Sequence, residues 1–257
     1  MKKVPLVSSL LLLLGCLALP AGGEAAIIYR SNEGWTIEGE GNKVERSAAE
    51  QMRKAETLEA EGNTKAAYAA YRVLVKEYGL SALAPKAQRK VGMLLERNGE
   101  FDKAFEAFNT YLTKYPRGDD FDSVVESMFK IGKMFLEGSQ KKKVLGVPLG
   151  GSVERARTMF ETIVKRAPFS RWAPLAQFNI GQTYEKQGQF PEAILAYQTC
   201  VARYPTDPVA DDAQYQIGYV RLVDFRKGSY DQASAQKARE AFEDFINRYP
   251  DSEKVPQ

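Results

Sequence analysis

Two adjacent carboxylate pairs, Asp119-Asp120 and Asp211-Asp212, and two thiols, Cys16 and Cys200, are the side chains of this sequence best placed to do chemistry. Paired carboxylates divide general acid and general base work or hold a hard cation, and a thiolate is a nucleophile or a metal ligand. Such roles need partners. The 257 residues contain no histidine, which removes the commonest general base, the usual zinc ligand and every Ser-His or Cys-His pairing. Asp119-Asp120 falls between two helical stretches and Asp211-Asp212 at the start of another, where acids stabilise the exposed N–H groups. The sequence therefore points to no catalytic residue, no metal ligand and no cofactor. With 44% apolar residues, 27% charged residues and a net charge of +3, it describes a folded chain without the basic excess of a nucleic-acid binder.

The first 25 residues have the form of an export signal: Lys2 and Lys3, a run of mostly apolar residues from Leu6 to Leu19, then Pro20 and small residues. The run is too short to span a bilayer as a helix. Two processing routes fit it. Leu13-Leu14-Gly15-Cys16 resembles a lipobox that would make Cys16 a lipid-bearing first residue, although Leu14 sits where a smaller residue is usual. Gly23-Glu24-Ala25 instead offers an ordinary cleavage site. Either route leaves Cys200 without a disulfide partner, as a small buried apolar residue of a helix. Residues 26–44 form an extended leader whose Trp35 has no helix to belong to.

The remainder repeats. Residues 84–116 align without a gap on 173–205, matching Gly92 with Gly181, Gly99 with Gly188, Phe101 with Phe190, Ala104 with Ala193, Phe108 with Tyr197 and Pro116 with Pro205. This is the tetratricopeptide (TPR) pattern of about 34 residues. Small residues let two antiparallel helices approach, the aromatic fills the space between them, and the proline ends the second helix. Weaker copies carry Ala55, Ala67 and Tyr71; Gly132, Ala156 and Phe160; and Gly218, Ala238 and Phe242. The fold expected is all-α, a right-handed α-solenoid of five TPR helix pairs over 45–257, with repeats near 48–81, 85–118, 125–170, 174–207 and 211–252.

Two repeats are interrupted. From the first-helix glycine to the second-helix alanine is 12 residues in the regular copies (92 to 104, 181 to 193), 24 in the third (132 to 156) and 20 in the fifth (218 to 238). The insertions fall at 139–152 and near 225–236, in the turn between the helices of one pair. A bare insertion costs little loop entropy. The first one nevertheless carries Val144, Leu145, Val147 and Leu149 beside Lys141, Lys142 and Lys143, which predicts packing on a partner or an adjacent repeat.

First helices of a TPR array line its concave face, where an extended or helical peptide is held. The frame puts Met52 and Glu56, Arg89 and Met93, Phe129 and Lys133, Phe178 and Gln182, and Tyr215 and Tyr219 on that face. Phe129, Phe178, Tyr215 and Tyr219 form an expected aromatic ladder, with Arg89 and Lys133 as carboxylate clamps. Each aromatic alone is equally well explained by packing.

Five exported TPR copies, helix ends of the form "KYP", "RAP" and "RYP", a first helix of the type "APLAQFNIG" and the long interruption of the third repeat together resemble the BamD/YfiO family of outer-membrane protein assembly factors. The resemblance covers roughly 45–252. It implies a non-enzymatic scaffold on the periplasmic side of the outer membrane. Its partners would be the barrel-forming assembly subunit with its periplasmic domains and unfolded outer-membrane protein segments. The membrane itself would be a partner where Cys16 is lipidated. The alternative expected is a Tol-Pal-linked periplasmic TPR adaptor, against which the glycine-bearing, heptad-free leader argues.

Overall fold

In a computed structural model of the chain, the described residues are 26–30, 34–38, 40–138, 143–144, 147–148, 152–226 and 232–255. Among them ten α-helices pair in chain order: α1 (Ala48–Ala60) with α2 (Thr64–Glu77), α3 (Ala84–Arg97) with α4 (Phe101–Lys114), α5 (Phe121–Gly138) with α6 (Val153–Arg166), α7 (Ala173–Lys186) with α8 (Phe190–Arg203), and α9 (Val209–Asp224) with α10 (Gln232–Arg248). Each helix packs on the one before it and the one after it, which is the nearest-neighbour architecture of an α-solenoid of five TPR pairs.

Two antiparallel hairpins lie outside the pairs. β1 (Ala26–Arg30) meets β2 (Gly34–Glu38) with Tyr29 opposite Trp35, so the leader is extended and paired. Gly41, in a short 3-10 helix (Glu40–Asn42), lies so close to the Ala66 backbone that any Cβ there would overlap it. Lys54 then binds both the Lys43 carbonyl and the Glu45 carboxylate, tying the end of the leader to α1. Within the first insertion β3 (Lys143–Val144) meets β4 (Val147–Pro148). Of the second insertion, 232–236 already belong to α10, in keeping with the helix-forming stretch "QASAQ".

The helices begin and end where local chemistry dictates. Ser47, Asn63 and Ser152 cap α1, α2 and α6 by accepting from Glu50, Ala66 and Arg155 N–H groups, and prolines occupy the first turn of α3, α7 and α8. The turn glycines Gly62, Gly99 and Gly188 have φ of 77°, 76° and 72°, and the residue after each donates its N–H back to Leu58, Leu95 and Tyr184, closing the same left-handed cap three times.

The seams between paired helices are where the repeat signature acts. Ala104, Ala156 and Ala193 are fully buried in equivalent positions. A Cβ on Gly92, Gly181 or Gly218 would strike the ring of Phe108, Tyr197 or Phe242, and one on Gly132 would come within 2.9 Å of Phe160. A second device repeats in step with the seam. Gln51, Gln88 and Gln177 donate from Nε2 to the carbonyls of Ala70, Ala107 and Ala196, each 19 residues on, at 3.1, 2.8 and 3.1 Å. A buried amide is tolerated because it is hydrogen-bonded.

Candidate functional site

The first helices lie side by side, and polar cross-ties join them. Lys86 and Lys90 of α3 reach Glu56 and Glu59 of α1 at 2.9 and 3.1 Å, and Lys186 of α7 donates to the Leu136 carbonyl of α5 at 3.2 Å. Between repeats, Arg89 meets Asp120 at 3.3 Å, and Arg171 meets Glu126 at 3.0 Å. None of these cross-repeat pairs has a fixed spacing that the sequence could advertise.

Two expected groove residues are corrected. Met52 is 4% exposed and Phe129 8%, both inside the core. Phe129 is closed off by Trp172 of the next repeat, stacked on it at 5.0 Å between ring centroids, and by Phe160 at 5.6 Å. The aromatic ladder likewise faces its own repeats. Phe178 is half-buried against Tyr197 at 5.3 Å, and Tyr215 lies half-buried between Phe242 and Phe245 at 5.8 and 5.6 Å. Arg89 and Lys133 are engaged within the chain, by Asp120 and by Glu137. Met93 at 38% exposure, Tyr219 at 42% and the half-buried Gln182 are what the expected set leaves open. In the insertion, Lys141, Lys142, Leu145 and Leu149 lie outside the described residues, as does Cys16; Lys143, Val144 and Val147 are placed only as strand backbone.

The groups that first suggested chemistry have structural occupations. Lys254, arriving from the C-terminal segment, binds Asp211 at 2.8 Å and Asp212 at 2.6 Å. The Cys200 thiol is fully buried, 3.6 Å from the Pro174 carbonyl, and burial pushes its pKa up to about 12. A thiol held so far above neutrality supplies almost no thiolate. Among the described residues no cluster of His, Cys, Asp and Glu could hold a metal ion, and no helix is long and apolar enough to cross a membrane.

The tyrosines of the seam are tuned in the same spirit. Tyr71 donates to Glu59 at 2.8 Å and Tyr197 to Glu185 at 2.9 Å, each 12 residues apart. Burial, then the neighbouring carboxylate, pushes both phenols far above their ordinary range, so they act only as donors.

Residues 149–255, from the end of the first insertion through α10, match the model of YfiO, an outer membrane lipoprotein family. Tetratricopeptide repeat models match 52–119 and 126–170. Over these segments the chain is similar to the BamD/YfiO family and to TPR proteins. The outer membrane protein assembly factor BamD of Caulobacter vibrioides is 27% identical to it over 106 residues, 40% of this chain. That match spans about a third (34%) of the length of the Caulobacter protein. Among solved structures, MamA from Desulfovibrio magneticus RS-1 superimposes with a TM-score of 0.40 at 15% identity, covering 82% of this chain and all of that one. YrrB, a TPR protein with an unusual peptide-binding site, gives a TM-score of 0.39 at 17% identity, covering 80% of this chain and 88% of its own. The YfiO-like region thus coincides with the last two helix pairs and the second half of the third, the part of the solenoid that carries Gln182 and Tyr219.

Proposed function

We propose that this protein is a non-enzymatic scaffold of outer-membrane β-barrel protein assembly, working on the periplasmic side of the outer membrane. It holds the barrel-forming subunit through that subunit's periplasmic domains, or segments of substrate, on the face made by its first helices. The observation that carries the reading is the YfiO match over 149–255, which falls on α6 to α10. Met93, Gln182 and Tyr219 are the residues of that face that remain free to meet a partner. A tyrosine exposed on a rigid helix gives contact area at small entropic cost. The insertion at 139–152 supplies a second contact through its lysines and apolar residues, and Cys16 is the site of a lipid anchor.

A pull-down from membranes in gentle detergent tests this. Co-purification of a large β-barrel protein with periplasmic domains is expected, and Tyr219→Ala should weaken capture about tenfold. Recovery of Tol-Pal components in place of the barrel protein would overturn the assignment in favour of the adaptor reading. Replacing residues 141–149 by a Gly/Ser linker should also weaken assembly, and mass spectrometry of the mature N-terminus should find a lipidated Cys16.

A further inference from the structure

The loops joining one repeat to the next all lie along one edge of the solenoid, and two of them present a large apolar side chain to solvent. Leu80 is 105% exposed and Phe169 101%. They stand 89 residues apart, the same offset that superimposes 84–116 on 173–205, so they occupy the same place before the second and fourth repeats. The loop between them offers Arg117 there, and the loop after α8 offers Thr206. Side chains exposed to this degree have no intramolecular use. A protein partner would call for a contiguous apolar patch, which two knobs separated by a polar repeat do not make.

The two display loops are built alike and held firmly. Ser81 and Ser170 donate N–H groups to the Tyr78 and Ala167 carbonyls at 2.9 and 3.0 Å, and accept in turn from Ala84 and Ala173 at 3.0 and 3.1 Å. The residue just before each knob is pinned from the following repeat. Tyr115 donates its hydroxyl to the Gly79 carbonyl and Tyr204 donates to the Pro168 carbonyl, both 36 residues away and both at 3.3 Å. A knob on a fixed stem loses little conformational freedom on insertion. Cations surround the knobs. Lys165 and Arg166, in the last turn of α6, and Arg171 are exposed beside Phe169, while Lys76 and Lys114 flank Leu80. Of these, Lys76 meets Glu77 and Arg171 meets Glu126; the acidic Asp119, Asp120 and Asp207 belong to the other two loops, with Asp120 paired to Arg89.

We propose that this edge rests on an anionic lipid bilayer, with Leu80 and Phe169 inserted at the level of the headgroups and the flanking lysines and arginines on lipid phosphates. Apolar side chains that enter the interface beside basic residues are the pattern of peripheral membrane attachment. A bilayer accepts separated knobs without a shaped pocket. The proposal does not depend on any protein partner.

The experiment is co-sedimentation of the full chain with vesicles of phosphatidylcholine alone or mixed with phosphatidylglycerol. The apolar run at 6–19 is common to all variants, so differences between variants report on the edge. Leu80→Ser/Phe169→Ser is expected to bind the anionic vesicles at least tenfold more weakly. Lys165→Gln/Arg166→Gln should remove most of the preference for anionic over neutral vesicles. Leu195→Ser, at a 64% exposed position of α8 outside the loops, should bind as the parent does. Circular dichroism confirms that each variant is folded. Parental binding by Leu80→Ser/Phe169→Ser, or equal binding of the parent chain to neutral and anionic vesicles, would overturn the proposal. A loss confined to capture of a protein partner would overturn it too, and would make the edge a protein-docking surface.

Discussion

Repeats one and two share a frame and differ in how they treat one carboxylate. Glu59 and Glu96 each stand four residues after the seam position, Ala55 or Gly92. Glu59 accepts from the Tyr71 hydroxyl at 2.8 Å and from Lys90 at 3.1 Å. Burial alone would raise its pKa, but those two hydrogen bonds, with the charges of Lys90 and Arg97, hold it below the usual glutamate range. In repeat two the ring opposite is Phe108, which has no hydroxyl, and Lys130, the counterpart of Lys90, is taken by Glu126 at 2.7 Å. Burial therefore dominates, and Glu96 lies above the usual range despite the pull of Lys130. The repeat fixes where a group stands, while its charge state is set by one ring atom and by the next repeat.

The seam itself should outweigh this difference, and removing it is the largest perturbation. Phe108→Ala is expected to cost about 3–5 kcal/mol, read as a shift in the denaturant midpoint, because a ring buried between α3 and α4 leaves a cavity. A cost below about 1 kcal/mol would mean that Phe108 does not hold the pair together. Gly92→Ala comes next. Its new Cβ meets the Phe108 ring, so a loss of about 1–3 kcal/mol is expected, whereas Gly132→Ala, with its nearest Phe160 atom at 2.9 Å, should cost less. Repeat one already carries Ala55 at this place, which makes Gly92→Ala a direct test of whether α3 and α4 can adopt the spacing of α1 and α2.

The seams were legible because one glycine, one alanine and one aromatic recur at fixed spacing, and nothing beyond local sequence is needed to place them. Exposure on the outer faces was less so. Met52 and Phe129 share a repeat position with Arg89 and Phe178, yet they are core residues. For Phe129 the cover comes from the following repeat, whose Trp172 stacks on it at 5.0 Å between ring centroids. A pattern read inside one repeat cannot see this cover. The glutamines of the cross-ties recur four residues before the seam position, at Gln51, Gln88 and Gln177, but their acceptors are backbone carbonyls, which every residue has, so the sequence does not reveal what they bind.

Tyr71→Phe converts the carboxylate environment of repeat one toward that of repeat two while leaving the ring in place. A loss of about 1 kcal/mol is expected near neutral pH, the net worth of one such hydrogen bond. Because folding lowers the pKa of Glu59, its contribution is present above the ordinary glutamate range and disappears as pH falls through the folded value. The variant should therefore differ most from the parent at neutral pH and converge with it in acid. An unchanged difference across that range would show that Glu59 and Tyr71 are not coupled.

Phe108→Tyr is the reverse exchange, and the smallest effect. Folding raises the pKa of Glu96, so the folded state holds that proton more tightly than the unfolded chain. Stability gained from it is present below the unfolded value and lost as pH rises through the folded one. Supplying a hydroxyl at the place Tyr71 and Tyr197 use should let the ionised carboxylate accept a hydrogen bond, lower the Glu96 pKa and recover up to about 1 kcal/mol above that window. Unfolding measured at mildly acidic and at neutral pH separates the outcomes: a gain only at the higher pH means the carboxylate has found its donor. A gain independent of pH would come from packing of the larger ring alone, and repeats one and two would then differ by more than a hydroxyl.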